Sequence, residues 1–183
     1  MNNKTKLAIV HFSGMIVSLL VAVLAHYVYD YYPSTFTSLL FPVNESIWEH
    51  AKLFVLPIML VYLIIYFIIG RKFKNYLPAT FASLIFMPIF SCIVFQIYLI
   101  VAGTHHPASG IIFSALTFII AFILSYFIAI QERQIKRSTI IFAVIGVVAL
   151  IAIMAVFTYY TPKVDWLDWL FMDHENMCYG LIK

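Results

Sequence analysis

Thr-Ile-Ile-Phe-Ala-Val-Ile-Gly-Val-Val-Ala-Leu-Ile-Ala-Ile-Met-Ala-Val-Phe-Thr-Tyr-Tyr, residues 139–160, runs for 22 residues without a charged side chain. About 20 mostly apolar residues in helical conformation cross the hydrocarbon of a bilayer. Four further stretches meet that requirement, at 7–29, 46–70, 78–102 and 110–130. Short joints bearing Gly, Pro and charge separate them, as loops do. The composition agrees: 64% of the 183 residues are hydrophobic and 10% charged, with a mean hydropathy of +1.00, against about 25% charged in a soluble domain. The sequence predicts an all-α integral membrane bundle of five transmembrane helices in one domain, 1–183. The first apolar stretch has no small-residue cleavage site and reads as a retained helix, not a signal peptide. Pro57 and Pro88 fall inside the second and third spans and are expected to kink them.

Charge sets the orientation. Lys4, Lys6, Arg71, Lys72, Lys74, Arg133, Lys136 and Arg137 gather on one side, eight of the eleven basic residues. Seven of the eight carboxylates fall on the other side: Asp30, Glu45, Glu49, Asp165, Asp168, Asp173 and Glu175. The positive-inside rule then puts the N-terminus in the cytoplasm and the C-terminus outside. Residues 161–183 become an external tail, and Tyr31, Tyr32, Tyr160, Trp166 and Trp169 an outer aromatic belt. A net charge of +3 without a basic stripe gives no reason to expect a nucleic-acid partner. The partner is the lipid bilayer. Cys92 and Cys178 are too few for a disulfide framework, and no phosphate loop, nucleophile elbow or haem-attachment motif is present.

On this map the histidines share the carboxylates' side. His26 lies near the outer end of span one, His50 in the first turns of span two, and His105 and His106 between spans three and four; His11 alone is on the inner half. The densest stretch is Phe-Pro-Val-Asn-Glu-Ser-Ile-Trp-Glu-His-Ala-Lys, Phe41 to Lys52. A structural reading is available: Ser46 and Glu49 match the S-x-x-E capping box, and Lys52 can pair with Glu49. It leaves Glu45 and His50 unexplained. The functional reading is an acid/base or metal site. Glu45 and Glu49 are the candidate catalytic carboxylates. His26, His50, His105 and His106 are candidate ligands of a divalent metal, zinc first. Asp30, one turn beyond His26, is placed to orient its ring. Asn44, Ser46, Trp48, Lys52 and Asp173 are candidate supporting residues, the last in a tail that either covers the cluster or anchors the chain end.

The stretch Pro42 to Lys52 resembles the hallmark of a family of small bacterial membrane proteins known as a domain of unknown function. His26-Tyr27, Gly103-x-His105 and the tail residues Phe171, Asp173, Tyr179 and Gly180 extend the likeness along the chain. The resemblance implies a multi-pass protein of the bacterial inner membrane and supplies no activity. A slighter one, to membrane hydrolases related to alkaline ceramidases, rests on Ser46 and His50 alone and suggests zinc; the late His-x-x-x-His of those enzymes has no counterpart here. Two functions compete. One is a metal-assisted hydrolase or transferase acting on a lipid or lipid-linked substrate at the outer leaflet. The other is a small ion or metal permease, or a non-catalytic partner subunit. A permease needs polar groups across the midplane, and spans three to five carry no charge there.

Overall fold

A computed structural model describes residues 1–103, 107–173 and 177–181. Helix α1 (Asn3–His26) starts where the Asn2 side chain accepts the Lys4 amide at 3.1 Å. After a turn at Tyr27 come two short helices, α2 (Val28–Tyr31) and α3 (Thr35–Leu40). The chain continues through α4 (Ile47–His50), a 3-10 turn over Ala51–Phe54, and α5 (Leu56–Ile68). Helices α6 (Tyr76–Ala102), α7 (Pro107–Ala129) and α8 (Arg137–Tyr159) follow. The tail carries one more turn, α9 (Asp168–Phe171), and a two-stranded antiparallel ribbon, β1 (Met172–Asp173) with β2 (Cys178–Tyr179).

All five apolar stretches emerge as helical segments long enough to span a bilayer, at Asn3–Tyr31, Ile47–Ile68, Tyr76–Ala102, Ser109–Ala129 and Arg137–Tyr159. The second differs from expectation in kind. Proline lacks an amide hydrogen and its ring crowds the carbonyl four residues back, so Pro57 does not bend one continuous helix. The ladder stops, the chain tightens to 3-10 over 51–54, and α5 begins anew with Pro57 in its first turn. Pro88, by contrast, lies within an uninterrupted α6.

The segment 47–68 is the central one, with 56% of its apolar window buried against 11–28% for the other four. Helix α1 packs on α5 and α7, and α6 on α7 and α8, around Tyr62, Ile65, Leu84, Met87, Phe118 and Phe122. Gly14 permits this closeness, since a β-carbon there would lie 2.5 Å from Cδ1 of Ile65. The outer faces stay apolar, with Leu24, Leu60, Ile100, Phe127 and Phe142 exposed. A helix apolar on every face is suited to lipid. At one end of the bundle the Asn75 side chain donates to the carbonyls of Gln131 and Arg133 at 3.0 and 2.9 Å and accepts the Ile135 amide at 2.9 Å. The Tyr126 hydroxyl there meets the Lys4 carbonyl at 3.4 Å. The three basic segments therefore share one end. The Phe41–Lys52 segment and the tail occupy the other.

Candidate functional site

The segment between α3 and α5 is held by two devices that divide its carboxylates. Ser46 caps α4, its Oγ accepting the Glu49 amide at 3.3 Å, while its own amide donates to Oδ1 of Asn44 at 2.9 Å. That second bond occupies the donor a capping box would offer to the Glu49 side chain, so the box is only half formed. Glu49 turns instead to Lys52, at 2.6 Å, with side chains 2% and 1% exposed. Both members of this ion pair make further hydrogen bonds. Glu49 accepts the Val43 amide at 3.2 Å and the Thr158 hydroxyl at 2.9 Å. Lys52 donates to the carbonyls of Ser38 at 2.8 Å and Phe41 at 3.4 Å. Buried charges persist in apolar surroundings when paired and fully hydrogen-bonded, and this pair ties α3, the loop, α4 and the end of α8 together.

Glu45, just before the cap, has no part in that network. Its Oε1 lies 3.4 Å from Nε2 of His26 and its Oε2 3.4 Å from Nε2 of His50. The imidazole rings are 5.0 Å apart, and one ligand atom from each residue falls within 4.8 Å of the others. Side-chain exposure of 22%, 39% and 34% for His26, Glu45 and His50 leaves one side open. The His26 and His50 rings hold the Glu45 carboxyl well below the usual carboxylate range, against partial burial that pushes it up. Nδ1 of His50 lies 2.9 Å from the Ser46 carbonyl. A carbonyl only accepts, so this nitrogen carries hydrogen and Nε2 is left to face the carboxylate.

The two histidines and the carboxylate come from distant points, His26 from the last turn of α1, Glu45 from the loop and His50 from α4. Glu49, the other candidate base, does not join them. Asp30 is exposed on α2 and makes no hydrogen bond to His26. His105 and His106 lie outside the described residues. The supporting candidates have distinct placements. Asp173 is fully buried and its carboxylate accepts the Glu45 amide at 3.2 Å. Asn44 donates to the Gly180 carbonyl at 2.9 Å. Trp48 packs at a tilt against Phe157 and Phe171 with ring centroids 5.5 and 5.2 Å away. The tail is thus docked onto the motif rather than laid along the interface. The roles of Ser38 and Thr158 carry no signal in the sequence. Gly180, which the sequence offers only as part of the family likeness, is required by its φ of 59° and by the Thr158 carbonyl 2.6 Å from where a β-carbon would stand.

The donor set suits a borderline divalent cation. Zinc binds imidazole nitrogen and carboxylate oxygen at about 2.0–2.2 Å, and a tetrahedron of that size has edges of about 3.3–3.6 Å. The two histidine–carboxylate separations of 3.4 Å, one to each oxygen of Glu45, are of similar length, and a single ligand atom from each residue lies within 4.8 Å of the others. Those two separations are long for direct charge-assisted hydrogen bonds, which run about 2.7–2.9 Å. Two imidazoles, one carboxylate and an open side are also the ligand pattern of catalytic zinc, whereas structural zinc sites are closed by four protein ligands.

Comparison with curated proteins and with solved structures gives no match. A family model does match, over residues 1–181, and on that near-complete coverage the chain belongs to the family of unknown function DUF6512.

Proposed function

We propose that this protein is a metal-dependent hydrolase or transferase of the bacterial inner membrane, with its site at the extracytoplasmic face and a lipid or lipid-linked molecule as substrate. One observation carries the reading. Nδ1 of His50 is committed as a donor to the Ser46 carbonyl, which leaves Nε2 facing the Glu45 carboxylate at 3.4 Å. Either a proton or a cation must lie between that nitrogen and the carboxylate, and the open side and second imidazole favour the cation. A histidine whose far nitrogen is committed to a backbone carbonyl is the usual partner of a protein-bound metal.

In this reading His26, Glu45 and His50 hold the ion, and the exposed side admits water and substrate. Bound zinc lowers the pKa of a coordinated water to about 7 and polarises a carbonyl or phosphoryl oxygen. The carboxylate oxygen of Glu45 not used for ligation would accept the proton that such a water loses. Asp173 holds the Glu45 backbone, and the Glu49–Lys52 pair holds the loop. The apolar outer faces of the helices beside the site favour a substrate delivered along the bilayer. Collection of the carboxylates at the end opposite the basic segments supports an extracytoplasmic site.

The test is metal content and thermal stability of wild type, Glu45→Gln, His50→Ala and Ser46→Ala, purified in one mild detergent and dialysed against zinc. About one ion per chain is expected in wild type and in Ser46→Ala. Glu45→Gln and His50→Ala should fold and lose it. Wild type that stays metal-free in zinc would instead mean that a proton sits between His50 and Glu45, and the metal reading would fall.

A further inference from the structure

A second group of polar side chains lies deep in the bundle, where α1, α5, α6 and α7 meet. His11, Tyr62, Tyr76, Thr80, Ser83 and Ser125 are each at most 6% exposed. His11 precedes His26 by fifteen residues on α1, about 22 Å at 1.5 Å per residue, so this is not the site above. The His11 ring centroid is 5.8 Å from that of Tyr76 and 6.3 Å from that of Tyr62. Its Nε2 meets the Ser125 hydroxyl at 3.4 Å. Ser83 donates to the Ala121 carbonyl at 3.1 Å, and Tyr76 to the Tyr62 carbonyl at 2.9 Å.

Three polar atoms in this group have no hydrogen-bond partner: Nδ1 of His11, the Tyr62 hydroxyl and Oγ1 of Thr80. They come from three helices and share neighbours. Looser hydrogen-bond contacts, outside ordinary bonding geometry, run from Tyr62 to Ser83 and Ser125, from Tyr76 to Thr80 and from His11 to the Leu7 backbone. The hydroxyls are gathered, yet too far apart or too poorly aligned to satisfy one another directly. An orphaned polar group in apolar surroundings costs several kcal/mol. Natural interiors remove such orphans with water, which makes two to four hydrogen bonds where a polar space allows.

We propose that this junction is a hydration site, holding water that bridges His11, Tyr62 and Thr80 through the hydroxyls of Ser83 and Ser125. The chemistry speaks against an ion. None of the six residues carries a carboxylate or a permanent positive charge, so an ion finds no counter-charge. Hydroxyls and imidazole both donate and accept, which matches a neutral molecule that does the same. The bound water joins four helices that otherwise share only the few direct hydrogen bonds named above, and so adds to what fixes their mutual register.

X-ray radiolytic footprinting of the full chain in lipid nanodiscs tests this. Water held inside a protein is radiolysed in place and labels the side chains beside it, however deeply buried. Tyr62 and Phe118 are each 1% exposed and differ in lying beside the polar group or outside it. Tyr62 should be modified several-fold faster than Phe118, with solvent 18O appearing in the product. Equal, background-level labelling of the two overturns the proposal. Tyr62→Phe gives an independent reading. Loss of a water-bridged hydroxyl lowers the melting temperature by about 2–4 °C in a chain of this size, whereas removing a dry orphan leaves it unchanged or raises it, which also overturns the proposal.

Discussion

Lys52→Met is the sharpest test of what holds the candidate site together. Methionine keeps the length and apolar stem of lysine, so the change deletes one ammonium group and little packing. Glu49 is then left ionised at 2% exposure, with only the Val43 amide and the Thr158 hydroxyl to stabilise it. Breaking a buried ion pair from one side costs about 3–5 kcal/mol, which at about 2–4 °C per kcal/mol lowers the melting temperature by roughly 6–20 °C. The double variant Glu49→Leu/Lys52→Met removes both charges and should recover much of that loss. Thr158 still has the Met154 carbonyl at 3.0 Å, so the chief orphan is the Val43 amide, costing about 1–3 kcal/mol. Thermal unfolding followed by tryptophan fluorescence, on wild type, Lys52→Met, Glu49→Leu and the double variant in one detergent, gives the full cycle. A double variant less stable than Lys52→Met, or a single variant that melts with wild type, would refute the assignment of Glu49 and Lys52 as a mutually dependent buried pair.

Further outcomes follow from the same geometry. Reporter fusions after Lys74 and Arg137 should read cytoplasmic and a fusion after Lys183 external; a cytoplasmic C-terminus would remove the proposed orientation. Asp173→Ala should weaken zinc affinity measured by competition with a chelator, because the Glu45 amide loses its acceptor, whereas Asp173→Asn, whose oxygen still accepts, should stay near wild type. Gly180→Ala should loosen the docked tail and raise its protease sensitivity, since a left-handed backbone costs a residue with a β-carbon about 1–2 kcal/mol and that carbon meets Thr158 and Thr161. An unchanged digestion pattern would show that the tail is held elsewhere.

The number of membrane-length helices could be read from the chain because it depends on a property summed along the chain. A run such as 139–160 has one low-energy state in hydrocarbon, the helix, since any other leaves backbone amides unpaired. The charge split and the half of the capping box contributed by Ser46 are equally local. The candidate site was legible as a list but not as an arrangement. Glu45 and Glu49 look alike in sequence, one turn apart on the same face. The folded chain buries Glu49 against Lys52 and Thr158 and leaves Glu45 between His26 and His50. Helical periodicity did not reveal this, because Glu45 lies outside α4, in the bent loop before it, and the break at 51–55 resets the face. Nor could it show that the tail returns so that Asp173 meets the Glu45 amide 128 positions away, or that His11 joins Ser125 in a buried polar junction. Sequence periodicity fixes which face a side chain occupies within one helix. Which faces meet is set by close packing and by the requirement that every charge taken out of water find its partner, and that is a property of the assembled bundle.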